Sequence, residues 1–146
     1  MQNNKSPNAI LFYNYRSLNQ SLHGYPIYHE KYGDALLNAN QTLEALKQYK
    51  FALQSTSSPD IITKTGFCFQ QLKMYDSSEH YYTITENMQP YKISPKFMLL
   101  KLYLQKGDST MIKAKAIEIK NMNVKIRNRK AQEIKKYADS VLTILH

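Results

Sequence analysis

Apolar residues along this chain recur three and four positions apart rather than in alternation, and that spacing predicts helices. Leu43, Leu46, Tyr49 and Leu53 fall on one helical face, as do Leu99, Leu102 and Tyr103. A longer stripe of Ile134, Tyr137, Ala138, Val141, Leu142 and Leu145 predicts a final helix over about residues 126–145. Another helix is expected over about 9–22. Gly24 and residues 55–59, 89–95 and 121–124 read as connections. Pro59 and Pro95 sit near expected helix starts, where a missing N–H does no harm, and Pro90 helps to end a helix.

The pattern repeats. Gly33 with Leu36, Ala45, Tyr49 and Ala52 lies over Gly66 with Phe69, Ser78, Tyr82 and Thr85. Leu100 with Tyr103, Ile112, Ala116 and Ile119 makes a third set. The steps from Gly33 to Gly66 and from Gly66 to Leu100 are 33 and 34 residues. Each unit reads as two antiparallel helices in which small residues let the backbones approach. That need explains glycine inside a helix, where it costs about 1 kcal/mol relative to alanine. This period and these residue types resemble the tetratricopeptide (TPR) family over about residues 26–121, with repeats near 26–58, 59–92 and 93–121. The resemblance implies an all-α fold of antiparallel helix pairs stacked in a right-handed superhelix, as a single domain over residues 1–146. The last helix covers the apolar face that a terminal repeat would otherwise expose. In the third unit Leu100 replaces the glycine and Ile112 the small residue, so looser or shifted packing is expected there.

Composition agrees with a packed domain. A chain of 146 residues can remove roughly two-thirds of its unfolded surface from water. The twelve tyrosines supply rings for the core and hydroxyls for its edge. A single cysteine, Cys68, excludes an internal disulfide and a cysteine-based metal cluster; in Gly66-Phe67-Cys68-Phe69 it reads as a buried small hydrophobe. No apolar run is long enough for a signal peptide near the start or for a membrane span, so the chain is expected to be soluble. The net charge of +9 is unevenly placed: residues 101–146 carry eleven Lys/Arg against four Asp/Glu. These bases could meet phosphates, an anionic lipid surface or an acidic partner, with Lys125, Arg127, Arg129 and Lys130 as the candidate contacts. The alternative is a solvated outer side of the final helix. Nucleic acid is disfavoured because only Tyr137 lies near the bases as a stacking ring.

A search for catalytic chemistry finds little. His23, His29, His80 and His146 have no helical metal spacing among them. The four glycines form no phosphate-binding loop, and no serine sits in a nucleophile elbow. No catalytic, metal or cofactor residue is assigned, and the expected partner is a protein or peptide. In TPR proteins the concave groove comes from the first helices of successive repeats. That geometry implies a groove near Ile27, Glu30, Asp34, Leu37, Thr63, Phe67, Gln70, Phe97, Lys101 and Leu104. Phe67 and Phe97 are open to either a groove or a core reading. Glu30 and Asp34 stand at the first of the positions where the carboxylate-clamping members of the family carry Lys, Asn and Arg, which disfavours capture of a partner's terminal carboxylate.

A narrower resemblance rests on the order of features. Tyr25-Pro26-Ile27-Tyr28 leads into Glu30-Lys31-Tyr32-Gly33-Asp34-Ala35-Leu36. Two repeats later comes Pro95-Lys96-Phe97-Met98-Leu99-Leu100-Lys101-Leu102-Tyr103, then Lys106-Gly107-Asp108. Asn123-Val124-Lys125-Ile126 finally precedes a helix with Glu133-Ile134-Lys135-Lys136. This is similar to the C-terminal tail of O-antigen ligase or polymerase-like membrane proteins of envelope polysaccharide assembly. It implies a non-catalytic scaffold on the periplasmic face of the inner membrane, with the chemistry in a membrane part that this chain does not include. The rival expectations are a free-standing TPR adaptor in the cytoplasm and a basic module binding nucleic acid or anionic lipid.

Overall fold

The computed structural model describes residues 14–18, 22–125 and 127–145, and among them all regular structure is helical. Seven helices are bounded in it: α1 (Pro26–Asn38), α2 (Thr42–Ala52), α3 (Pro59–Gln71), α4 (Tyr75–Met88), α5 (Ile93–Lys106), α6 (Ser109–Asn121) and α7 (Arg129–Ile144). Of the helix expected over 9–22, residues 14–17 are helical, and 9–13 and 19–21 lie outside the described residues. Pro26 and Pro59 occupy the first turns of α1 and α3, where the backbone donor is unpaired in any case. Asp108 and Asn128 cap α6 and α7 by accepting from the Met111 and Ala131 amides at 3.0 and 3.1 Å.

The sequence period reappears in the turns. Asn40, Lys73 and Gly107 each take a left-handed conformation, with φ of 58°, 59° and 72°. The next amide in each case, of Gln41, Met74 or Asp108, reaches back to the carbonyl of Leu36, Phe69 or Tyr103 at 2.9, 2.9 and 3.2 Å. That bond satisfies a carbonyl left over at the helix end and reverses the chain tightly enough for the next helix to lie alongside.

The chain divides into two units, residues 1–78 and 79–146. In the first, α1 packs on α2 and α2 on α3. Its core holds Tyr28, Ala35, Leu36, Ala45, Tyr49, Ala52, Ile61 and Cys68. A β-carbon on Gly33 would stand 2.6 Å from Cε1 of Tyr49, so glycine is what permits this ring to seat between α1 and α2. The Ser78 hydroxyl donates to the Gly66 carbonyl at 2.8 Å, which uses the small residue as a polar link. The face expected for α2 is rotated: Leu43 is exposed, and Ala45, Leu46, Tyr49 and Ala52 point inward. Burying Tyr49 against Gly33 sets that rotation.

In the second unit α6 packs on both α5 and α7, and α7 also touches α5. Leu99, Leu100, Leu102, Ala116, Ile119 and Ala138 are essentially inaccessible. In the third pair, where looser or shifted packing was expected, Leu100 and Ile112 are both buried. The volumes have exchanged places. Where positions 33 and 49 hold glycine and tyrosine, the equivalent positions 100 and 116 hold leucine and alanine, conserving the bulk between the paired helices. Ile134, Ala138, Val141 and Leu142 are the buried part of the α7 stripe, whereas Tyr137 and Leu145 lie at its exposed margins.

Candidate protein-binding surface

In the first unit two of the expected groove residues, Glu30 and Asp34, meet a lysine that the sequence did not single out. Lys64 Nζ lies 2.7 Å from Glu30 Oε1, 3.0 Å from Asp34 Oδ1 and 3.2 Å from Asp60 Oδ2. Burial alone would lower the lysine pKa, but the three carboxylates outweigh it and raise it, so Lys64 stays charged. Asp34 also accepts from the Tyr49 hydroxyl at 2.7 Å. Burial, and then this bond to a carboxylate, push the tyrosine well above its usual range. Glu30 and Asp34 are thus tied to α3 and to the core. The signal for this was present: Lys64 follows Glu30 by 34 residues and Asp34 by 30, close to one repeat.

The remaining groove candidates of this unit differ in availability. Ile27 is exposed, Leu37 and Phe67 are half-buried, and Gln70 is buried. Thr63 is half-buried and returns its hydroxyl to the Pro59 carbonyl at 2.8 Å. Ile27 also lines an open pocket of about 290 Å³ with Tyr15, Leu22, Tyr25, Tyr28 and Lys31. His29 is buried, with Nδ1 2.7 Å from Gln48 Oε1 and Nε2 2.7 Å from the His23 carbonyl, a structural role for both ring nitrogens. Burial pushes the Cys68 thiol up to about 12. Among the described residues no group of His, Cys, Asp and Glu side chains is arranged to hold a metal ion.

In the second unit α5 and α7 build an aromatic and cationic cluster. Phe97 is half-buried and meets Tyr137 edge to face, with centroids 5.6 Å apart and planes at 84°. Lys101 sits one turn on, its Nζ 5.0 Å from the Phe97 ring centroid. Such a cation over a ring face is worth about 0.5–1 kcal/mol at an exposed site. Tyr137 and Lys101 remain exposed, Leu104 is half-buried, and Lys101 makes no ion pair. Tyr137 was expected on the covering helix and as the one ring near the bases; its register on α7 brings it instead to Phe97, which a repeat-based reading could not foresee.

The same unit holds a closed charge ring. Lys96 Nζ contacts Glu86 at 2.9 Å and Glu118 at 2.6 Å, and Lys115 Nζ contacts both at 2.7 Å. Burial by itself would raise the Glu118 pKa, but hydrogen bonds from Lys115 and Lys96 outweigh it and hold the carboxyl below its usual range. Of the four candidates for anionic contact, Lys125, Arg127 and Lys130 are exposed without an ion-pair partner, and Arg129 makes an exposed pair with Glu133 at 3.1 Å. Among the described residues no helix is long and apolar enough to cross a membrane.

No protein-family model and no curated protein sequence matches the chain. Solved structures do. PcrH from Pseudomonas aeruginosa aligns with a TM-score of 0.69 at 15% identity, over 82% of this chain and 90% of PcrH. Cut9 in the APC/C hetero-tetramer Cut9–Hcn1 aligns with 0.68 at 17% identity, over 85% of this chain and 25% of the other. The Yersinia enterocolitica type III secretion chaperone SycD, in complex with a peptide of the translocator YopD, aligns with 0.62 at 16% identity, over 98% of this chain and 96% of SycD. At these identities the likeness concerns the fold, and it shows an all-α helix-pair fold of the tetratricopeptide type.

Proposed function

We propose that this chain is a non-catalytic TPR scaffold that holds a protein or peptide partner, with Phe97, Lys101 and Tyr137 as its principal anchor. The observation that carries this reading is the edge-to-face pair of Phe97 and Tyr137 beside a lysine with no carboxylate partner. Tyrosine is among the residue types enriched at the hot spots of protein interfaces, and phenylalanine is enriched in their buried cores. The fold supports the reading, since the similar chaperone SycD is seen with a peptide. The test is selection of random linear peptides on the immobilised chain, followed by titration of the selected sequences. Phe97→Ala and Tyr137→Ala should each weaken those peptides by about 1–2 kcal/mol, roughly five- to thirtyfold. Selected peptides that bind both variants as well as the parent chain would remove the anchor.

The finer part of the proposal is the parent protein. The order of motifs from Tyr25 to Lys136 supports a place as the C-terminal part of an O-antigen ligase-like membrane protein, on the periplasmic face of the inner membrane. That reading rests on the sequence resemblance alone, and the similar solved structures are not proteins of that kind. An immunoblot of fractionated source cells tests it. A band much larger than 17.1 kDa in the membrane pellet is the expected result, and a free band of that mass would replace it with a free-standing adaptor.

A further inference from the structure

The second unit keeps a complete internal account of its carboxylates. Glu79 holds Lys106 and accepts from Tyr103, Glu86 and Glu118 hold Lys96 and Lys115, Glu133 holds Arg129, and Asp139 holds Lys120 at 2.6 Å. Asp108 is spent on the cap of α6. All six Asp and Glu side chains of residues 79–146 are therefore engaged, and none is left to balance the corner between α6 and α7. There, among the described residues, Lys125, Arg127 and Lys130 stand exposed without ion pairs, beside Arg129, which pairs with the exposed Glu133. No acidic residue occupies the first turn of α7, although acids are favoured there and bases raise the positive potential of that end further.

The corner is also held in place. Lys135 Nζ donates to the Met122 carbonyl at 2.7 Å, Lys120 reaches across to Asp139, and Asn128 caps α7. The segments on either side of the bases are thus tied to one another. The exposure of the corner suits a flat anionic partner, and it has no stacking ring, because Tyr137 on the same helix is turned to Phe97. Single-stranded nucleic acid would call for such rings.

We infer that the α6–α7 corner, through Lys125, Arg127 and Lys130 with Arg129, docks on the phosphate headgroups of an anionic phospholipid bilayer. Each base near such a surface is worth about a fivefold gain in partition. Three together make an attachment that is weak alone and effective for a protein already held near the membrane. The inference stands on this corner and not on the peptide anchor or on the parent protein; the immunoblot can fail while the vesicles still bind.

The test is co-sedimentation of the 146-residue chain with vesicles of phosphatidylglycerol and phosphatidylcholine in equal parts, against pure phosphatidylcholine. Binding is expected only to the anionic vesicles. Lys125→Gln/Arg127→Gln/Lys130→Gln should lower the partition about a hundredfold. Lys73→Gln/Lys92→Gln/Lys113→Gln, which removes the same charge from other exposed sites, should retain it. An unchanged helical circular dichroism signal confirms that both variants fold. Equal losses in the two variants, no binding to anionic vesicles, or tighter binding of a single-stranded oligonucleotide through the same three residues would each overturn the assignment.

Discussion

Gly33 lies beneath the ring of Tyr49, so close that a β-carbon there would stand 2.6 Å from Cε1 and 2.9 Å from Cδ1. The ring cannot move aside easily: Tyr49 has no exposed surface, and its hydroxyl is bonded to Asp34. Gly33→Ala therefore sets a gain in helix propensity of about 1 kcal/mol against an overpacking cost of about 1–3 kcal/mol. The net expectation is a loss of stability, read by urea denaturation. A more stable variant would show that the contact between α1 and α2 yields without cost.

The three left-handed turn residues make an opposite pair of predictions. Gly107 has open space around it, so Gly107→Ala introduces backbone strain and nothing else, at a cost of about 1 kcal/mol. Lys73 pays that strain already at φ 59° and is exposed, so Lys73→Gly should gain up to about 1 kcal/mol. Midpoints of thermal unfolding that move in opposite directions for the two variants are the expected outcome.

Glu118 predicts an acid-side loss of stability. Its folded-state pKa lies below the ordinary 4.5, because the bonds from Lys115 and Lys96 exceed the effect of burial. The stabilisation is therefore present above the unfolded value and is lost as the pH falls through the depressed folded value. Glu118→Gln should be less stable than the parent chain at neutral pH, and the gap should narrow below the ordinary carboxylate range. Denaturant titrations at the two pH values check it, and a gap of constant size would remove the charge ring as its cause.

Cys68 predicts a protected thiol. With the side chain fully buried and its pKa pushed up to about 12, almost no accessible thiolate exists near neutral pH. A thiol reagent should leave the folded chain unlabelled and modify it stoichiometrically in denaturant. Rapid labelling without denaturant would mean that α3 opens locally.

How far the sequence could be read is clearest residue by residue. The spacing of Gly33, Gly66 and Leu100 pointed to helix pairs, and the left-handed turns at Asn40, Lys73 and Gly107 return with the same steps of 33 and 34 residues. Leu43 was misplaced because a 3.6-residue period defines a face but not its rotation; seating Tyr49 on Gly33 chose the rotation. Glu30 and Asp34 were read only as groove carboxylates; their pairing with Lys64 was missed because Lys64 lies on another helix, although its offset of about one repeat could have drawn attention to it. Tyr137 left no signal in the repeat pattern, since α7 stands outside it.

The chain by itself determined what depends on neighbours in sequence: helical periodicity, the positions of small residues, the reversal points and the excess of basic side chains toward its end. Only the tertiary structure decided which charges are spent and which remain. Lys64, Lys96 and Lys115 are consumed by carboxylates from other helices, while Lys125, Arg127 and Lys130 are left exposed. The physical reason is that ion pairing and ring contacts act over a few ångströms, and residues far apart in sequence reach that distance only when the helices pack.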